Sequence, residues 1–210
     1  MTVPLDALIE TFPVWIESDF SPHPYGPPSS YSGSRQCDRD PFQPTFGSLV
    51  NEVRGYRADG TPYHHDAVDI GAAYGAAVVA TCPGTVFINW HYPRASRGEP
   101  RDRPGAGVLS SVGGYVRVHG PGGYVLYYAH LCPVYARPGQ TVTAGNLLGR
   151  VYHAGSRGGP AHLHYQIRRP YPPNPANGGR RVDTYQRLRE LREAGQWRAP
   201  HAPLLASPFY

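Results

Sequence analysis

Five residues carry the side chains that could do chemistry together: His65, Asp69, His130, His162 and His164. The last two sit in Gly159-Pro160-Ala161-His162-Leu163-His164-Tyr165-Gln166-Ile167, where His162, His164 and Gln166 alternate with Leu163, Tyr165 and Ile167. That period of two predicts a short β-strand and turns both imidazoles to one face. Two imidazoles so placed can share a metal, can divide into a ligand and an acid/base, or can simply line a half-exposed sheet. Zinc binds imidazole nitrogen and carboxylate oxygen, and a catalytic site uses three protein ligands and leaves the fourth position to water. His65, Asp69 and one member of the 162/164 pair would supply two nitrogens and one oxygen. Water at such a site ionises near pH ~7.

Hydrolysis also needs groups that move protons and stabilise developing charge. Glutamate is nearly excluded: between Ile70 and Arg181 the only acidic residues are Glu99 and Asp102, both in a polar stretch. Proton transfer then falls to His130 and to whichever of His162 and His164 is not a ligand. His64 reads as a solvent-exposed neighbour of His65. His23, His91, His119, His153 and His201 belong to no motif. Cys37, Cys82 and Cys132 allow at most one internal disulfide, and with no C-x-x-C pair they make a cysteine-based zinc site unattractive.

Positioning these residues requires strands. Gly 25 and Pro 24 punctuate the chain, and the gaps between them read as strands. Asp59-Gly60 marks a turn. Residues 76–88 predict strand, Pro-Gly turn, strand; 114–131 a hairpin around Gly120-Pro121-Gly122-Gly123; 138–153 two further short strands. The one convincing helix is 183–194, with Asp183 as N-cap, Leu188 and Leu191 on one face, and Gly195 as its stop. Short strands at close spacing point to an all-β fold, an antiparallel sandwich or half-barrel. The expected organisation is an extended N-terminal arm over 1–44 that packs on the domain, with at most a short helix over 4–10, a core domain over 45–182 carrying a polar insertion at 89–113, and a C-terminal helix and tail over 183–210.

The motifs resemble those of the lysostaphin-like (LytM-type) zinc metallopeptidases, which cut peptide bonds in bacterial cell walls. His65-Asp66-Ala67-Val68-Asp69 matches their H-x-x-x-D element, followed by Ile70, Gly75 and the run Val78-Val79-Ala80. Tyr128-Ala129-His130-Leu131 resembles their Y-x-H-L element, and Gly139 to Gly149 matches G-Q-x-V-x-A-G-x-x-x-G. The strand at 159–167 matches G-P-H-L-H-[FY]-x-[IV] with Ala161 inserted. The resemblance covers roughly residues 45–170, in order. Ala67 stands where the family usually has Gly, the insertion at 89–113 is longer than usual, and upstream of His65 only Phe46-Gly47 matches. The resemblance implies His65, Asp69 and His164 as ligands of Zn2+, His130 and His162 as catalytic histidines, and an antiparallel β-sandwich whose groove holds the metal. It also implies peptidoglycan stem peptides as substrate. A non-catalytic wall-binding or hydrolase-activating module of the same fold is the alternative; members of that kind have generally lost ligands, whereas all five residues are present here.

All 20 basic residues are Arg, and with 15 acidic residues the formal charge is +5. Guanidinium pairs bidentately with carboxylate and phosphate, so an acidic partner fits, and Arg94, Arg97, Arg101, Arg103 and Arg157 are candidates to meet stem-peptide carboxylates and favour cleavage of the stem cross-link over a glycine bridge. No recognised nucleic-acid-binding motif accompanies the charge, so nucleic acid is not an expected partner. No apolar run reaches 18 residues, so no membrane span is expected. The first residues, MTVPLDALIETFPVWIESDF, lack a basic start and an unbroken apolar core, and carry Asp6, Glu10, Glu17 and Asp19, unlike a signal peptide. The expectation is synthesis in the cytoplasm and action in the periplasm or cell wall of a target cell after non-Sec delivery, as an antibacterial effector or lysin. Such a protein would have secretion or injection machinery and a cognate immunity protein as partners.

Overall fold

A computed structural model describes residues 3–17, 43–47, 49–73, 75–87, 114–152, 161–170 and 181–199. Most of the expected arm, the insertion at 89–113, the Gly-rich loop at 154–159 and the tail beyond 199 lie outside the described residues, as do Cys37, Arg94, Arg97, Arg101, Arg103 and Arg157.

The strands are β1 (Val14–Trp15), β2 (Thr45–Phe46), β3 (Val53–Tyr56), β4 (Pro62–His64), β5 (Val68–Gly71), β6 (Ala77–Val79), β7 (Gly84–Phe87), β8 (Gly114–His119), β9 (Val125–Val134), β10 (Thr141–Val142), β11 (Leu147–Val151), β12 (His162–Arg168) and β13 (Arg181–Val182). Every pairing between these described strands is antiparallel. Eleven strands form one sheet, running β1-β6-β11-β9-β12-β5-β2, with β8 on the other edge of β9 and β7 and β10 beyond it. β3 and β4 form a separate hairpin, turned by Asp59-Gly60 with Gly60 at φ 79°. Among the described residues the chain is thus mostly antiparallel β-sheet with one short α-helix, as the strand spacing predicts.

β9 is the axis. One edge pairs with β8, while the other pairs first with β12 and then with β11. Its inward residues are Leu126, Tyr128 and Leu131, so the alternation slips by one residue at His130. The β8 register slips there too, from Tyr115↔Ala129 to Gly114↔Leu131. His130 is the extra residue, and it holds φ at 64°. An extra residue of this kind bends a strand and re-aims a side chain.

The core lies on one side of β9 and β12. Leu126, Tyr128, Leu163, Tyr165 and Ile167 are fully buried there with Val68 and Ile70 of β5. Tyr165 stands opposite Tyr128 in the register, and both phenols meet the Thr81 hydroxyl, at 2.8 and 2.9 Å. Residues 3–17 contribute to the same core: Leu8, Ile9, Phe12 and Val14 are buried, after a single 3-10 turn at Leu5–Ala7. The helix α1 (Tyr185–Glu193) buries Leu188 and Leu191. It starts two residues later than the sequence predicts: Thr184, not Asp183, takes the N-cap position, and the Asp183 carboxylate accepts the Tyr185 N–H at 3.0 Å from one residue further out. Gly195, at φ 73°, ends it, the left-handed geometry that glycine adopts at least cost.

Candidate metal centre

The opposite face of β12 carries His162, His164, Gln166 and Arg168, one strand period apart. β5 lies alongside, and its Asp69 stands directly opposite His164 in the register. Residues directly opposite in an antiparallel pair share a face, so the pairing itself delivers the carboxylate to the imidazole. His65 precedes β5 by three residues and returns to Asp69 from the turn after β4.

Three donor atoms converge. His65 Nε2 and His164 Nδ1 each lie 3.1 Å from Asp69 Oδ1, and 3.2 Å from each other. The three ligand atoms fall within 4.8 Å of one another. Two imidazole nitrogens facing each other beside a carboxylate oxygen need a proton or a cation between their lone pairs. Two nitrogens, one oxygen and an open side are a donor set that zinc accepts. The residues present therefore fit the metal.

His65 and Asp69 are each 5% exposed, so the carboxylate sits largely out of water. Burial pushes its pKa up, but hydrogen bonds from His164 and His65 and the charges of His162 and His65 outweigh it, holding Asp69 ionised well below the ordinary carboxylate range. An anionic, pre-formed ligand results.

His162 Nε2 is farther from Asp69 Oδ1, at 3.7 Å. The His130 ring lies 4.7 Å from that of His162 and 5.8 Å from that of His164, centroid to centroid. All five residues singled out from the sequence therefore come together, two of them beside the donor cluster rather than in it. His64 is exposed, its Nδ1 2.8 Å from Asn51 O.

Two residues with no assigned role also reach the centre. Arg54 of β3 donates to Oδ2 of Asp69. Asp66 lies 3.7 Å from His164 Nε2 and pairs with Arg168 at 3.3 Å and Arg181 at 3.9 Å. Asp66 stands inside the H-x-x-x-D element, at a position whose spacing demands nothing. Arg54 carries no sequence signal; only the fold of the β3–β4 hairpin brings it in.

The family model for Peptidase family M23 matches residues 63–184, more than half of the 210-residue chain. Among solved structures, the chain is similar to a protein described as a glycyl-glycine endopeptidase LytM from Ruminococcus gnavus, at 23% identity over 92% of this chain and 64% of that one, with a TM-score of 0.51. It is also similar to the catalytic domain of the antimicrobial peptidase lysostaphin from Staphylococcus simulans, at 20% identity over 69% and 92% of the two chains, TM-score 0.47. A zinc-containing peptidase from Vibrio cholerae matches at 24% identity over 59% of this chain and 32% of its own length, TM-score 0.42. The chain thus spans about a third of the Vibrio cholerae protein. No curated protein sequence matches.

Proposed function

The chain belongs to peptidase family M23, and from that membership we propose that it is a zinc-dependent endopeptidase that hydrolyses peptide cross-links of bacterial peptidoglycan. The observation that carries this reading is the convergence of His65 Nε2, Asp69 Oδ1 and His164 Nδ1 on one point, with two further imidazoles at its edge. His65, Asp69 and His164 would hold the metal. Zinc bound there supplies a Lewis acid and lowers the pKa of water.

The remaining work is proton transfer. His162 and His130 lie side by side, so one can accept a proton from attacking water while the other delivers a proton to the leaving amine. General acid–base catalysis of this kind contributes about 10²–10⁴-fold. No glutamate sits among the described residues of the centre, so the two histidines carry both roles.

On substrate, Arg54, Arg168 and Arg181 place guanidinium groups beside the candidate centre, each about a third exposed on its side chain. They suit the carboxylates of a stem peptide through charge-assisted hydrogen bonds, whereas an uncharged glycine bridge offers them no partner. The reading is a D,D-endopeptidase acting on the cross-link between two stem peptides. Digestion of purified walls, with chromatography and mass analysis of the products, tests it: cross-linked dimers should become monomers. Release of glycine fragments with dimers intact would reject the cross-link specificity, and no release from any wall by zinc-loaded protein would reject the peptidase.

A further inference from the structure

We propose that Asp66 is a positioning residue for the metal centre, fixing the ring orientation and the proton location of His164 from the side opposite the donor cluster. The inference rests on the functional reading above, in which His164 is a ligand.

His164 lies between two carboxylates. Its Nδ1 faces Asp69 Oδ1 at 3.1 Å and its Nε2 faces Asp66 Oδ1 at 3.7 Å. A neutral imidazole carries one N–H, on one nitrogen or the other. If Nδ1 gives its lone pair to the metal, the proton must reside on Nε2, and the nearest described carboxylate to receive it is Asp66. At 3.7 Å the pair is a charge contact rather than a formed hydrogen bond.

Asp66 is itself held in place. Its Oδ2 takes Arg168 Nη2 at 3.3 Å and lies 3.9 Å from Arg181 Nε. Arg168 and Arg181 stand opposite each other on β12 and β13, a like-charge pair that repels unless an anion bridges it. Asp66 is that anion. The Arg168 guanidinium is stacked 4.8 Å over the Tyr127 ring, which fixes the clamp from below. One carboxylate oxygen thus serves the arginines and the other faces the histidine. A partner of this kind on a ligand histidine sets its tautomer and raises its basicity, and its loss typically costs 10–100-fold in metal affinity.

The test is zinc affinity of the full chain by competition with a chromophoric chelator, for wild type, Asp66→Ala and Asp66→Asn, paired with long-range proton–nitrogen spectra of the zinc-loaded proteins. Asp66→Ala should weaken zinc binding about 10–100-fold. It should also broaden or shift the His164 Nε2–H resonance. Asp66→Asn, which keeps an acceptor oxygen without the charge, should fall between. If Asp66→Ala does not fold, Asp66→Asn decides by the same two readings. Zinc affinity within twofold of wild type together with an unchanged His164 resonance overturns the role of Asp66 and leaves the peptidase assignment standing. A wild-type protein that takes up no zinc overturns both.

Discussion

Arg54 donates to Oδ2 of Asp69, while His65 and His164 share Oδ1 of the same carboxylate. The carboxylate therefore presents one oxygen to the donor cluster and has the other occupied by a cation. Without metal, Arg54 is the permanent positive charge that compensates the buried anion. A metal held by His65, Asp69 and His164 would supply that compensation a second time, and the two cations would repel. Arg54→Ala should thus lower the stability of the metal-free protein while leaving the zinc-saturated protein nearly unchanged. The Arg54 side chain is 40% exposed, so solvent screening keeps the loss to about 1 kcal/mol or less. By linkage, the variant must then bind zinc a few-fold more tightly than wild type. Thermal melts in chelator and in excess zinc measure both arms. Equal loss in both conditions would mean that Arg54 does not respond to the metal.

The pair on β12 separates by distance: His164 Nδ1 is 3.1 Å and His162 Nε2 3.7 Å from Asp69 Oδ1. His65→Ala, Asp69→Ala and His164→Ala should each lose zinc and activity together. His162→Ala should keep its zinc and lose turnover by about 10²-fold or more. Metal content by elemental analysis, measured beside hydrolysis of purified walls, checks this. Zinc retained in His164→Ala and lost in His162→Ala would reverse the assignment.

What the sequence shows of this centre is what lies close in the chain. The alternation from His162 to Ile167 is visible because a strand has a period of two, and the same period placed Leu163, Tyr165 and Ile167 in the core. The Gly120–Gly123 turn exposed the β8–β9 hairpin for the same reason. Partners distant in sequence were not visible. Asp66 meets His164 only because β5 pairs with β12, and Arg54 meets Asp69 only because a hairpin folds back. The slip at His130 left no local mark either: Tyr127, Tyr128, Ala129, His130 and Leu131 are all acceptable strand residues, and the pairing with β8 decides which one is extra. Residues 3–17 read as part of an arm packed on the domain, but composition does not say that Leu8, Ile9 and Phe12 close the core, since burial depends on where the chain lies rather than on its proline content.

Behind the centre, Thr81 ties three elements together. Its hydroxyl donates to Leu8 O at 2.9 Å and so is left to accept from the phenols of Tyr128 and Tyr165. All three side chains are fully buried. Thr81→Val keeps the shape and removes the hub, leaving buried hydroxyls and a carbonyl short of partners, each costing about 1–3 kcal/mol when unmade. The expected loss is ~2 kcal/mol or more in chemical denaturation, with zinc affinity unchanged because the network lies on the core face of β9 and β12. A Thr81→Val protein as stable as wild type would show that the phenols find other partners.

His130 combines a proposed proton-transfer role with a backbone that most side chains avoid. At φ 64° a residue with a Cβ is disfavoured by roughly 1–2 kcal/mol relative to the right-handed region. The structure holds it there because the register with β8 skips one residue, and the Tyr152 N–H bonds to His130 O at 2.8 Å. Function and strain can be separated by two substitutions. His130→Ala and His130→Gly both delete the imidazole, and both should lose turnover by about 10²-fold or more while keeping zinc. Only glycine relieves the backbone, although it also adds entropy to the unfolded chain. The relief outweighs that entropy, so His130→Gly should be more stable than His130→Ala by roughly 1 kcal/mol, a difference that denaturant titration resolves. If alanine is the more stable of the two, the imidazole is aimed without backbone strain, and the slip in register alone accounts for its placement.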